Sequence, residues 1–227
     1  MPSPYVSEDW CSHEFYNKVR QHFRILPIRT NATKIERKEG VDAVYEIQDP
    51  KRRNIKAVLV QEKAPLPPPF SFELKKRQHD LLLNRQRIFR RRAYFYAFFC
   101  IRNSHQLPYI MGRTVHFDVD KIPSFNSKTR RVKATTTPFY VYLSSRPKRG
   151  WRRRGYHFTE ILLRVAYCWV GLPKKFFPQL AEDLKRLIEQ NERFYLMVYD
   201  KDEKEAHVYF NLPRSEREHP PDSPESN

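Results

Sequence analysis

The sequence predicts an α/β fold in which helices flank a mixed β-sheet. Three observations carry that expectation. Ahead of Pro27, the apolar residues Cys11, Phe15, Val19 and Phe23 recur at helical spacing. Two strand-forming runs, residues 41–47 and 55–63, bracket a turn-rich segment at residues 49–54. The stretch 93–101 is continuous, aromatic and uncharged, as expected of a strand buried on both faces.

Each element follows from local chemistry. Ser7 is a fitting N-cap, and Glu8 and Asp9 in the next turn suit the positive end of a helix over residues 8–23. Residues 30–40 form a polar connection. The following runs read as a hairpin. With its turn centred between Lys51 and Arg52, Asp42 stands opposite Gln61, and Gln61 and Lys63 share one strand face. Three polar side chains then converge at one end of an otherwise apolar ribbon. The prolines at 65–69 break the chain. Ser71 is read as the cap of a helix carrying Leu74, Gln78, Leu81, Leu82 and Arg85 on one face. Strands are expected at 93–101 and 114–119.

In the second half, residues 126–133 are polar and basic, and 137–144 read as a strand. Residues 146–154 carry six cationic side chains around Trp151. A largely buried helix is expected over 156–170, an amphipathic helix over 178–191, and a second hairpin from 193–199 and 205–211. The acidic, Pro- and Ser-containing end reads as a disordered tail. The expected organisation is therefore an α/β core at residues 1–125, a basic α+β region at 126–213 and the tail at 214–227.

Composition narrows function. Among 227 residues, 43 Lys plus Arg face 26 Asp plus Glu, a formal charge of +17. The excess lies in runs: Arg52-Arg53, Lys75-Lys76-Arg77, 85–92, 128–133 and 146–154. Such a balance on a folded chain points to a polyanionic partner, above all nucleic acid. The five glycines have neither the Rossmann nor the P-loop spacing. No HExxH or GxSxG occurs. Cys11, Cys100 and Cys168 lack zinc or disulfide spacing and read as buried thiols of a reducing compartment. With no signal peptide or membrane-length apolar run, a cytoplasmic or nuclear protein without membrane partners is expected. His116-Phe117-Asp118 reads as a structural strand segment, and His157 as a helix opener.

Gly40-Val41-Asp42, followed by Val58-Leu59-Val60-Gln61-Glu62-Lys63, resembles the PD-(D/E)XK nuclease superfamily, most closely the QxK branch seen in Mrr-type restriction endonucleases. The resemblance covers residues 7–120. It includes an acid, Glu14, on the upstream helix, Gln78 on the downstream helix, and the aromatic strand beyond it. It departs from the family where Gln61 replaces the second acid and no Pro precedes Asp42.

The resemblance implies a restriction-endonuclease-like core and a Mg²⁺- or Mn²⁺-dependent endonuclease acting on nucleic acid, DNA ahead of RNA, with homodimerisation open. It implies metal ligation by Asp42, the Gln61 amide oxygen, the backbone carbonyl of Glu62 and Glu14, directly or through water. Lys63 would orient or deprotonate water and offset phosphate charge. Gln78, Lys75, Arg77, Arg149, Arg152 and Arg153 would contact the nucleic acid, and Trp151 would stack on a base. Plainer readings stand beside these. Asp42 can simply start a strand, Glu14 can be a solvated acid, Glu62 an outward-facing one, Gln78 a structural amide and Trp151 a loop aromatic. The alternative function is a nucleic-acid-binding protein that keeps the fold without catalysis. A basic scaffold for an acidic protein partner is the third.

Overall fold

The computed structural model describes residues 7–19, 24–27, 38–49, 54–66, 70–137, 139–143, 151–167, 169–173, 175–176, 196–200 and 205–209. Helix α1 is Glu8–Val19, and Trp10 N–H donates to the capping Ser7 Oγ at 3.2 Å. Strands β1 (Arg24–Pro27), β2 (Ala43–Asp49), β3 (Asn54–Lys63) and β4 (Ser71–Lys75) follow, then helix α2 (Lys76–Phe89). Next come β5 (Tyr94–Phe99), β6 (Thr114–Asp118), β7 (Thr129–Thr136), β8 (Phe139–Leu143) and β9 (Arg152–Arg154). Helix α3 (Phe158–Ala166) precedes β10 (Leu172–Pro173), β11 (Leu196–Asp200) and β12 (Glu205–Tyr209).

Two sheets result. The larger is mixed, in the order β12-β11-β2-β3-β5-β6, with β1 also on β2 and β10 also on β3. The hairpin β2–β3 pairs Ala43 with Val60 and Val44 with Leu59, the register the turn chemistry predicts. Strand β5 lies parallel to β3 and antiparallel to β6. The smaller sheet, β4-β7-β8-β9, is antiparallel throughout. The fold is thus mixed α/β, with one mixed and one antiparallel sheet flanked by helices.

Alternation along the central strands builds two apolar layers. Leu59, Tyr94, Tyr96 and Phe98 pack with Leu82 of α2 and with Phe72, Val132 and Val141 of the smaller sheet. Val58, Val60, Phe95, Ala97 and Phe99 pack with Phe15 of α1 and with Phe158 and Ile161 of α3. All six residues of β5 are buried, which is why its sequence shows no polar alternation. Cys11 and Cys100 are buried free thiols. Among the described residues no helix is long and apolar enough to cross a membrane.

The structure corrects three expectations. Ser71 opens a strand rather than capping a helix. Phe72 and Leu74 alternate with Glu73 and Lys75, and β4 pairs with β7 before α2 begins at Lys76. The basic segment 126–133 contains most of a strand, because Val132 and Ala134 alternate inward between cations. The helix expected over 156–170 is shorter, and its cap is His157, whose Nδ1 accepts from Thr159 N–H at 3.2 Å. The second hairpin is present, with Leu196 opposite Tyr209. The expected helix over 178–191, the tail 214–227, residues 20–23 and Cys168 lie outside the described residues.

Gly155 carries the chain from the smaller sheet to the edge of the larger one. Its N–H donates to Phe139 O at 3.0 Å, and the next residue, Tyr156, exchanges backbone bonds with His116. A methyl group at Gly155 would overlap the Val115 side chain. Gly155→Ala should cost about 1–3 kcal/mol in urea unfolding through overpacking.

His116 and His79 are fully buried in these layers. Burial is the main cause that pushes His116 down to about 3 and His79 down to about 4. The unfolded chain protonates both near pH ~6.5. Between that value and the folded ones the unfolded state binds more protons, so stability falls as pH drops from about 6.5 toward 4. Comparing urea unfolding at about pH 7 and about pH 4.5 should show a loss on the order of 2 kcal/mol per imidazole. His116→Asn should make that dependence shallower.

Candidate functional site

The register of β2 and β3 builds a polar cluster at one end of the hairpin. Asp42 immediately precedes β2, and its N–H donates to Val60 O at 2.8 Å. Its Oδ2 accepts from Glu62 N–H at 2.9 Å and from the Gln61 amide nitrogen. That amide nitrogen also reaches Glu62 O at 3.2 Å. From α2, the Gln78 amide nitrogen donates to Gln61 Oε1. Asp42 and Gln61 are buried, at 5% and 1% exposure. The network therefore joins one carboxylate, two amides and one strand carbonyl from three elements. Lys63, the last residue of β3, shares the strand face of Gln61 and is half-buried.

The approach to Asp42 is fixed by a clamp on Glu39, an acid that sequence reasoning missed. Glu39 is fully buried and forms a two-point ion pair with Arg85 of α2, with Arg85 Nε to Glu39 Oε2 at 2.7 Å. Tyr94 OH donates to the same oxygen at 3.1 Å. Gly40 follows with φ of 73°, and a Cβ there would press on Leu81 and Leu82 at 3.3 and 3.2 Å. A left-handed glycine between a clamped acid and the first strand residue sets where Asp42 emerges. The inward placing of Arg85 on the helix was the signal available in the sequence for a buried acid partner.

Helix α1 lies on the opposite face of the sheet. Glu62 is buried rather than outward-facing. Its Oε2 accepts from Ser12 Oγ and Tyr16 OH, both at 2.6 Å. Its side chain thus clamps α1 while its carbonyl faces Gln61. The row Glu8-Ser12-Tyr16 follows β3 to its end, where Ala64 N–H donates to Glu8 Oε2 at 3.3 Å. Glu14 is not brought to this cluster. It forms an i,i+4 pair with Lys18 at 3.8 Å. Helical phase could have separated the two acids. Glu8 shares a face with the buried Ser12, Phe15 and Val19, and Glu14 does not.

The Tyr45 hydroxyl is raised well above its ordinary pKa, first by burial and then by the charges of Glu62 and Asp42.

The other sequence-predicted residues fall on two surfaces. Lys75 and Arg77 are exposed and line an open groove of about 820 Å³ with Lys76, Asn84, Asn126 and Lys128, beside the helix that carries Gln78. Arg152 and Arg153 are exposed on β9. Trp151 is half-buried, edge-on to Phe117 at 5.6 Å between ring centres. Arg149 lies outside the described residues.

No protein-family model, curated protein or solved structure matches the chain.

The two helix acids make different expectations. Glu8→Ala removes the acceptor of Ala64 N–H and should destabilise by about 1 kcal/mol, with faster hydrogen exchange at that amide. Glu14→Ala loses one surface pair and should stay within about 0.5 kcal/mol of the parent in the same urea titration.

Proposed function

We propose that the chain is a metal-dependent nuclease with a restriction-endonuclease-like core of the PD-(D/E)XK type, in the QxK form, hydrolysing phosphodiester bonds of nucleic acid. The observation that carries this reading is the register-locked meeting of Asp42, Gln61 and Gln78 at the hairpin end, with Lys63 two residues on.

The donor set fits a hard divalent cation of the Mg²⁺ or Mn²⁺ class. It consists of a carboxylate, an amide and a strand carbonyl in one hydrogen-bonded network that the Gln61 amide enters through its nitrogen. An amide donates from one end and accepts at the other, so reversing Gln61 brings its oxygen beside Asp42, and Gln78 can follow by reversing too. Asp42, Gln61 and the Glu62 carbonyl would hold the cation. When bound, it supplies Lewis acidity to the phosphoryl group and activates water. The remaining work falls to this chain. Lys63 donates hydrogen bonds to the phosphate and to the attacking water, offsetting charge as it develops. Gln78 holds the Gln61 amide in place. Water adds to phosphorus, the bond to the leaving alcohol oxygen breaks, and the water's proton ends on that alcohol or in solvent. Lys75, Lys76, Arg77 and Lys128 along the groove by α2 supply salt-dependent grip on the backbone.

One observation favours the second reading, a nucleic-acid-binding protein without catalysis. Gln61 turns its amide nitrogen, not its oxygen, to Asp42 and to the Glu62 carbonyl, and its oxygen accepts from Gln78, so the cluster pairs its own polar groups.

Cleavage of labelled DNA and RNA with Mg²⁺ or Mn²⁺ separates the two. Under the nuclease reading Asp42→Ala should lose on the order of 100-fold or more in rate. Gln61→Glu, which adds a second carboxylate, should reach half-maximal rate at roughly tenfold lower Mg²⁺. The same variant should also gain more thermal stabilisation from Mn²⁺ than the parent. Equal cleavage by the parent and Asp42→Ala would sink the nuclease reading. No cleavage, with no Asp42-dependent Mn²⁺ stabilisation, would leave the binding protein.

A further inference from the structure

The smaller sheet has a face that the proposed cleavage site does not use. One side of β4-β7-β8-β9 packs inward through Phe72, Leu74, Val132, Ala134 and Val141, all fully buried. Strand alternation puts Arg131 and Lys133 of β7, Tyr140 and Tyr142 of β8, and Arg152 and Arg154 of β9 on the other side. Register aligns them across the sheet. Lys133 stands opposite Tyr142, which stands opposite Arg152, and Thr135 opposite Tyr140 opposite Arg154. The two tyrosines are partly exposed, and Arg131, Arg152 and Arg154 are exposed. The Arg152 guanidinium lies 3.7 Å from the Tyr140 ring centre, a planar cation already stacked on the aromatic face. Two acids adjoin the patch, Glu73 opposite Arg131 and Glu160 paired with Arg154 at 3.2 Å.

We infer that this face binds single-stranded nucleic acid, with successive bases stacking on Tyr140 and Tyr142 and the backbone held by Arg131, Lys133, Arg152 and Arg154. Two rings on adjacent alternate positions of one strand, flanked on both sides by cations, match the chemistry of unpaired bases on a phosphate backbone. A duplex keeps its bases stacked on each other and could use only the cations. The patch itself carries charge complementary to phosphate, since Arg131, Lys133, Arg152 and Arg154 outnumber Glu73 and Glu160. Trp151, the aromatic that the sequence singles out, is turned into the core edge against Phe117, and the tyrosines across the sheet take the solvent side. The inference rests on the reading of a nucleic-acid partner, and its test is separate from cleavage.

Fluorescence anisotropy in EDTA, where metal-dependent cleavage does not proceed, measures binding of an oligonucleotide of about twelve bases, as single strand and as duplex. Tyr140→Leu/Tyr142→Leu should weaken single-strand binding by about tenfold or more and leave both duplex binding and the salt slope near the parent's. Tyr142→Phe keeps the ring and should stay within about twofold. Arg131→Gln/Lys133→Gln should lower the salt slope by about one to two. Should the double leucine variant fail to fold, photocrosslinking of the parent to a 5-iodouracil-substituted single strand decides. Adducts at Tyr140 or Tyr142 support the inference, and adducts elsewhere or none overturn it. Unchanged single-strand affinity in the folded leucine variant, equal losses for strand and duplex, or equal competition by polyglutamate would also overturn it. Intact cleavage with indifferent tyrosines refutes the platform alone. Tyrosine-dependent binding without Asp42-dependent cleavage refutes the nuclease alone.

Discussion

The pairing of Ala43 with Val60 is the constraint on which the candidate site depends. A strand repeats every two residues, so a slip of one position would exchange every inward and outward side chain. In the observed register Asp42 meets Gln61 on the α2 side, while Glu62 turns to α1 and accepts from Ser12 and Tyr16. A slip would bury Gln61 under α1 and lose both networks together. Two apolar layers enforce the register from opposite faces, Val44 and Leu59 in one and Val58 and Val60 in the other. The polar cluster is positioned by hydrophobic packing, and the cluster itself need contribute little stability.

What was legible in the sequence was local and periodic. The hairpin register followed from turn chemistry, the buried β5 from its unbroken aromatic run, and the cap of α1 from Ser7. The failures share one cause, tertiary pairing that overrides local signals. Ser71 looks like a helix cap until β7 is available to pair with β4, and β7 itself hides behind cations that alternate with only Val132 and Ala134. Within the site, the hairpin register put Asp42 opposite Gln61, and the family resemblance singled out Gln78. Partners at long range escaped it. Glu39 is recognisable only once Arg85 and Tyr94 are seen around it, and Glu8 only once α1 is placed against the end of β3.

Charge is partitioned rather than averaged across this molecule. Among the described residues, cations stand exposed along the solvent side of α2 and on the outer face of the smaller sheet, while Glu39, Asp42 and Glu62 are buried beside the hairpin. Buried carboxylates require donors, and each of these has them from side chains or strand amides. Surface cations can steer a polyanion from a distance, because they act through solvent. The recessed acid acts only at contact. Under the proposed nuclease reading, long-range attraction and short-range chemistry would fall to different residues.

Under the proposed nuclease reading, an amide at Gln61, where the family the chain resembles has an acid, changes the energetics of the cluster in a definite direction. Two carboxylates facing each other at the hairpin end would repel in the absence of a cation, adding to the burial cost of Asp42 and raising the need for bound metal to hold the fold. An amide removes that repulsion and donates to Asp42 instead. In that reading the cost would fall on cation affinity, since the site would have one anionic ligand fewer. A site of this kind gains stability in the metal-free state and gives up tight binding. Its occupancy would then follow the surrounding divalent-cation concentration and the arrival of phosphate oxygens to complete the coordination. Substrate and cation would bind cooperatively, each supplying ligand or charge that the other lacks.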